Sequence, residues 1–180
     1  ADPVVAGGLV FTLDSGATVS AVTPQGQVAW STDLVPASER EDQATGGGIA
    51  YADNVLYVSS GFGRLTALDA KTGAIRWQQK LEATGSGAPL ISGGLLYLVA
   101  GDQTGWAIDI KDGRVLWQIE GTPSVGHVLG APAPVVASEF VVFAFGSGDV
   151  AAAFRKGGIR RWNSSVAGGR RGRAVARIVV

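Results

Sequence analysis

The chain has 180 residues and a mass of 18.4 kDa, enough for one domain with a real core, and its 27 glycines are about twice ordinary usage, which favours a turn-rich β protein. With 46% of residues apolar and 17% charged, burial can offset the entropy of folding, and intrinsic disorder is excluded. The formal net charge of zero hides an acidic body, −8 over residues 1–154, and a basic end, +8 over residues 155–180; an acidic body repels phosphates and the basic end offers only Trp162 for stacking, so nucleic acid is not an expected partner.

In chain order, four units repeat. The first has a short opening strand at residues 3–6, a more continuous apolar strand at 9–13, an alternating strand at 19–23, and then Gly26 four residues before Trp30. The second repeats this at 48–51, 55–59 and 65–69, followed by Gly73 and Trp77, with Asp53-Asn54 as an intervening turn. The third has 89–92, 95–99 and 106–110, then Gly113 and Trp117, with Gly93-Gly94 as its turn. The fourth has 134–137, 140–145 and 150–154, then Gly158 and Trp162, with Ser138-Glu139 between its first strands. The tryptophans are spaced by 47, 40 and 45 residues, the period of a four-stranded unit repeated around an axis. No helical period appears anywhere.

These patterns predict an all-β fold, a β-propeller of four-stranded antiparallel blades, with about four blades at residues 2–34, 46–82, 87–120 and 132–167 and a basic segment at 168–180 leading toward a fifth. Small residues in the first strands suit the crowded centre of such a ring. Each fourth-strand tryptophan is expected to lie flat against a turn glycine and the adjacent blade, the glycine leaving room for the ring; inter-blade packing, not ligand stacking, is its expected role.

The second unit, Ala67-Leu-Asp69-Ala-Lys-Thr72-Gly73-Ala-Ile-Arg-Trp77, fits A-x-D-x-x-T-G-x-x-x-W, the tryptophan-docking repeat of the pyrroloquinoline-quinone-type eight-bladed propellers. The third keeps Ala107, Asp109, Gly113 and Trp117 with Asp112 for the threonine; the first keeps Ala21, Gly26 and Trp30 after a one-residue deletion; the fourth has Arg160 where the others have Val28, Ile75 or Val115. Within that superfamily the chain most resembles the BamB family, lipoproteins of the outer-membrane β-barrel assembly machinery, through residues 122–132 and the Arg161-Trp-Asn-Ser-Ser-Val-Ala-Gly-Gly169 run with its Arg-rich continuation. The resemblance implies a periplasmic scaffold at the outer membrane that binds the periplasmic domains of the barrel insertase, with any lipid anchor outside this chain. It also implies an eight-bladed ring of which this chain is about half, so the chain reads as a processed or excised piece that self-associates through its open blade faces.

Quinone-dependent dehydrogenases share this propeller, and that alternative implies a metal-held cofactor, a catalytic aspartate and, in many members, a vicinal disulfide. The absence of cysteine removes the disulfide together with thiolate metal sites and cysteine nucleophiles, and the single histidine, His127, leaves no multi-histidine metal cluster. Asp69, Asp109 and Asp112 fall in inter-strand turns, where carboxylates cap backbone amides, and the acidic stretch 38–43 reads as a solvated loop. Gly-rich turns at 46–48 and 85–87 lack a following helix and make no phosphate cradle. The expectation is therefore a non-enzyme without cofactor or metal, a ligand-binding sensor propeller being a further alternative. No apolar run exceeds six residues, as at 140–145, against the roughly 20 needed for a membrane helix. The candidate partner-binding residues lie in two atypical connections: Thr122, Pro123, Ser124, Val125, His127 and Leu129 in the loop 121–133, and Arg173 and Arg177 in the segment 168–178.

Overall fold

The computed structural model describes residues 1–37, 47–81, 83, 87–122 and 131–166. Sixteen strands and no helix occur among them. Blade one holds β1 (Val4–Ala6), β2 (Leu9–Leu13), β3 (Thr18–Val22) and β4 (Val28–Asp33); blade two holds β5 (Gly47–Ala52), β6 (Val55–Ser60), β7 (Arg64–Asp69) and β8 (Ile75–Lys80). Blade three holds β9 (Leu90–Ser92), β10 (Leu95–Val99), β11 (Thr104–Asp109) and β12 (Val115–Glu120); blade four holds β13 (Val135–Ala137), β14 (Phe140–Ala144), β15 (Asp149–Phe154) and β16 (Arg160–Ser165). Each set forms its own antiparallel sheet in chain order, so the fold is a partial β-propeller of four blades. The strand limits differ from the sequence expectation by only a residue or two. The turns between first and second strands are tight hairpins whose left-handed residues include Asp53, Asn54, Gly93, Gly94 and Ser138.

Cross-strand register explains the repeat. Phe11, Ala21 and Trp30 form one row across blade one; Tyr57, Ala67 and Trp77 form the same row in blade two, and Tyr97, Ala107 and Trp117 in blade three. The alanine between them is small enough for the aromatic side chains to converge above it, with centroids 6.0, 5.8 and 5.9 Å apart. All four blades carry a bulge one residue before the tryptophan, where Ala29, Arg76, Leu116 and Arg161 lack a partner in the third strand. In blade four the row is Val142, Ala152 and Trp162.

The apolar cores lie between blades. Phe11, Leu13 and Val19 of blade one meet Leu56, Val58 and Leu68 of blade two; Tyr57 and Leu65 meet Leu96, Leu98 and Trp106; Tyr97 and Val99 meet Val141 and Phe143. Near the inner strands the backbones crowd together. A Cβ on Gly48 would lie 2.6 Å from Ala88, and one on Gly87 would collide with the Ala131 carbonyl, which is why small residues open these blades.

Candidate docking rim

Two opposite rims result from the up-and-down strand order. One carries the turns between third and fourth strands, and it is where the tryptophans seat. Trp30 stacks on Gly73, Trp77 on Gly113 and Trp117 on Gly158, each so closely that a Cβ on the glycine would lie 2.5 Å from the ring. The glycine accommodating each ring thus belongs to the following blade, not to the turn four residues before the tryptophan. These three glycines have φ of +73°, +76° and +69°, so both their backbone and their missing side chain are required. Each indole N–H donates to a carbonyl of the same turn: Trp30 to Ala70 (3.1 Å), Trp77 to Ile110 (3.1 Å) and Trp117 to Arg155 (3.0 Å). Inter-blade packing accounts for all three rings.

The carboxylates singled out in the sequence serve these turns. Asp69 accepts from the amides of Lys71 (3.0 Å) and Thr72 (3.2 Å) and from the Arg76 guanidinium (2.7 Å), which together hold its pKa at about 2. Asp109 caps Lys111 and Asp112 caps Arg114. Asp102 likewise caps Thr104 in the hairpin before β11. Among the described residues no group of three or more histidine, cysteine, aspartate or glutamate side chains comes together as a metal site. Asp69, Asp109 and Asp112 are thus committed to their own turns, and the sequence has no cysteine for a vicinal disulfide.

The opposite rim carries the turns between second and third strands, and there every blade releases its fourth strand in the same way. The amide of Leu34 donates to Ala17, that of Leu81 to Gly63, that of Gly121 to Gln103 and that of Val166 to Gly148, over 2.7 to 3.2 Å. All four acceptors sit in the left-handed region, at φ of 63°, 65°, 69° and 87°. Both sequence-predicted docking segments thus root on this rim, the loop 121–133 at Gly121 and the basic segment at Val166.

A single carboxylate gathers the two roots. Asp149, at the start of β15, lies beside Thr122 and Ser165 at the end of β16 and accepts from the Ser147 hydroxyl at 3.1 Å; these neighbours, Thr122 foremost, hold its carboxyl below the usual carboxylate range against the opposing effect of burial. Gln103, buried with φ of 69°, accepts from the Ser147 amide (3.2 Å), and Gly121 lies flat on the Phe145 ring, where a Cβ would come within 2.7 Å. Thr122 is therefore placed beside the end of β16, while Pro123, Ser124, Val125, His127, Leu129, Arg173 and Arg177 lie outside the described residues, as does the 38–43 stretch. Sequence reasoning missed Asp149 and Gln103; each sits in a turn whose composition resembles every other turn of the repeat. It also passed over Arg155 on the tryptophan rim, whose guanidinium donates to Tyr97 (3.3 Å) and to the Ser92 carbonyl (2.9 Å) and hydroxyl (3.2 Å) across the boundary between blades three and four.

The sequence pattern of the family described as "Outer membrane protein assembly factor BamB" matches residues 15–180. The chain belongs to the BamB family. It is 25% identical over 170 residues to BamB of Yersinia pestis, covering 91% of this chain and 43% of that protein, and 29% identical over 166 residues to an uncharacterized protein of Rickettsia prowazekii, covering 91% and 39%. The chain thus spans about two fifths of the length of the curated relatives it matches. Among solved structures, BamB from Moraxella catarrhalis superposes with a TM-score of 0.73 at 24% identity, over 92% of this chain and 48% of that one. The fold is shared more widely: quinohemoprotein alcohol dehydrogenase of Pseudomonas putida gives a TM-score of 0.73 at 19% identity, over 91% of this chain and 33% of that one. The computationally designed Ika4 protein gives 0.65 at 17%, over 84% and 88%.

Proposed function

We propose that this chain is part of a non-catalytic scaffold of the outer-membrane β-barrel assembly machinery, working in the periplasm at the outer membrane and docking onto the periplasmic domains of the insertase. Family membership supports the machinery. The convergence of Thr122 and Ser165 on Asp149 carries the assignment of the surface, because it roots the loop 121–133 and the basic segment side by side on one rim. In this reading the loop residues Thr122, Pro123, Ser124, Val125, His127 and Leu129 supply the contact, its centre apolar at Val125 and Leu129. Arg173 and Arg177 supply long-range attraction to an acidic or extended partner. The chain also self-associates through its open blade faces: Trp162 is 46% exposed and Val166 55%, whereas the matching Leu34 and Leu81 are buried.

Binding kinetics on the purified periplasmic domains of the insertase test the docking. Val125→Asp with Leu129→Asp is expected to speed dissociation, because apolar contacts at the dry centre of an interface set the off-rate. Arg173→Glu with Arg177→Glu is expected to slow association and flatten its salt dependence. If neither pair changes binding while circular dichroism shows the fold intact, the docking assignment is wrong.

A further inference from the structure

On the tryptophan rim, the seam between blades three and four departs from the other two. One residue before its docked tryptophan, blade one has Ala29 and blade two has Arg76, which folds back 2.7 Å onto Asp69 of its own turn; blade three has Leu116, 42% exposed, facing the turn of blade four across a cleft. That turn is changed as well. Where blade two has Thr72, bonded to Asp69 at 3.2 Å, and blade three has Asp112, capping Arg114, blade four has Gly157, and nothing lies within 4 Å of the position its Cβ would take. The result is an open cleft of about 390 Å³, lined by Leu95, Leu116 and Trp117 of blade three and by Arg155, Lys156 and Gly157 of blade four. An apolar floor with a few placed polar groups is the usual make-up of a binding cleft of this size.

The charge of this cleft is as unusual as its shape. The matching turn of blade two pairs Asp69 with Lys71, and that of blade three sets Asp109 and Asp112 against Lys111, but the turn 154–158 has Arg155 and Lys156 and no carboxylate. Arg155 is fixed by neutral partners, Tyr97, Ser92 and the Ser138 carbonyl, and Arg160 at the start of β16 donates to the Glu120 carbonyl across the same seam. Among the described residues none of these three cations has a carboxylate oxygen within 4.0 Å. Glu139 in the adjoining hairpin meets the Arg155 amide through its backbone carbonyl (2.9 Å), and its exposed side chain pairs with none of the three. In a chain whose residues 1–154 carry a net charge of −8, this seam presents unpaired positive charge around an apolar recess.

We propose that this cleft docks an extended acidic segment of a partner protein, one aromatic or aliphatic side chain entering between Leu116 and Gly157 above Trp117 and the flanking carboxylates meeting Lys156, Arg155 and Arg160. An apolar anchor seated in a recess ringed by complementary charge concentrates binding energy in a few residues. Leu116 and Trp117 line a hollow, which a side chain enters and a lipid surface only spans. The cleft lies between two blades that both belong to this chain, on the rim opposite the roots of the loop 121–133 and the basic segment, so this contact is separate from the docking onto the insertase.

Nuclear magnetic resonance titration of the isotope-labelled 180-residue chain with the peptide acetyl-Asp-Glu-Phe-Glu-Asp-amide tests it. Saturable shifts are expected at the Trp117 indole N–H and at the amides of Leu116, Lys156 and Gly157, with affinity falling as salt is raised. Leu116→Asp and Lys156→Glu, both at exposed positions, are each expected to weaken binding about ten-fold. Lys111→Glu, the same charge change on the turn of blade three, is expected to leave it nearly unchanged; a loss equal to that of Lys156→Glu would mean long-range attraction without a cleft and would overturn the proposal. A peptide with glycine in place of phenylalanine should bind about ten-fold more weakly. Equal binding of the two peptides would overturn the apolar anchor and the cleft with it. If the peptide shifts nothing at the seam while vesicles of phosphatidylethanolamine and phosphatidylglycerol broaden the same resonances, the surface belongs to a lipid and the peptide assignment falls. If neither acts there, the cleft is not a docking site.

Discussion

Blades two and four build the same tryptophan seat by different means. In blade two the Asp69 carboxylate ties the turn together through Lys71, Thr72 and Arg76, all within 3.2 Å. Blade four has Phe154 in place of that aspartate and Gly157 in place of the threonine, yet its turn closes with the same two backbone bonds, Phe154 to Ile159 and Gly158 to Phe154. The indole of Trp117 finds its carbonyl at 3.0 Å there, as the indole of Trp30 does at 3.1 Å in blade two. The seat is therefore made of backbone: a left-handed glycine and an outward carbonyl. The side chains that define the repeat by sequence only hold that backbone in place. Where they are missing, Arg155 holds the turn instead by reaching back across the boundary to Tyr97 and Ser92.

Emptying an occupied seat should give the largest effect. Trp77→Ala removes a half-buried ring packed against Tyr57 and Gly113 together with its hydrogen bond to Ile110, and is expected to cost about 3–5 kcal/mol in denaturant unfolding. Trp162→Ala, whose ring is 46% exposed and has no seat among the described residues, is expected to cost well under half of that, measured at a concentration where the protein is monomeric. Equal losses at the two positions would show that the rings act within their own blades and not across the boundary.

Obstructing the seat from the glycine side comes next. Gly158→Ala adds a methyl 2.5 Å from the Trp117 ring in a left-handed backbone, so strain and overpacking together are expected to cost about 2–4 kcal/mol. Gly26→Ala meets only the backbone strain, about 1–2 kcal/mol, because no ring lies above it. Thermal melts of the two variants side by side measure the difference, which is the contribution of the docked ring.

The clamp peculiar to blade four is expected to matter less. Arg155→Met keeps the aliphatic stem but removes the donors to Tyr97 and Ser92, for a loss of about 1–2 kcal/mol. Combined with Tyr97→Phe, the loss should be less than additive, since both changes delete one shared contact. Strict additivity by denaturant unfolding would mean that the two groups act independently.

This contrast also explains how much of the molecule the sequence discloses. The blades were legible because a strand buried on both faces must be apolar and a positive-φ turn pressed against a ring must use glycine, so each constraint leaves a residue type behind at a fixed spacing. Trp30, Trp77, Trp117 and Trp162 mark the architecture for that reason. The seat's partner was not legible, because which glycine a ring touches depends on how successive sheets stack and not on chain spacing. The rim was legible only as two unusual connections. Asp149, which draws their roots together, occupies a position filled by Thr18, Arg64 and Thr104 in the other blades, and nothing in a Gly-Ser-Gly-Asp turn announces a partner 27 residues upstream.

The smallest effect expected from the comparison is one of pH. Asp69 has a folded-state pKa of about 2, lowered first by the Arg76 guanidinium and then by the turn amides, against about 4 in an unfolded chain. A depressed carboxylate contributes stability that is fully present above its unfolded pKa and is lost as pH falls through the folded value, so the relevant window lies between about pH 4 and 2. Asp69→Asn should therefore be less stable than wild type by a constant margin above about pH 5, and the margin should shrink toward pH 2 as the wild-type carboxylate protonates. The Asp149 carboxyl is also lowered, by Thr122 foremost, but it is present in both proteins and cancels from the difference. Blade four has no such carboxylate, so amide exchange should lose its protection at Lys71 and Thr72 over this window while Gly158, bonded to the Phe154 carbonyl, keeps its own until the whole fold opens. A margin that survives unchanged at pH 2 would mean that Asp69 acts through shape alone and that its charge contributes nothing to the turn.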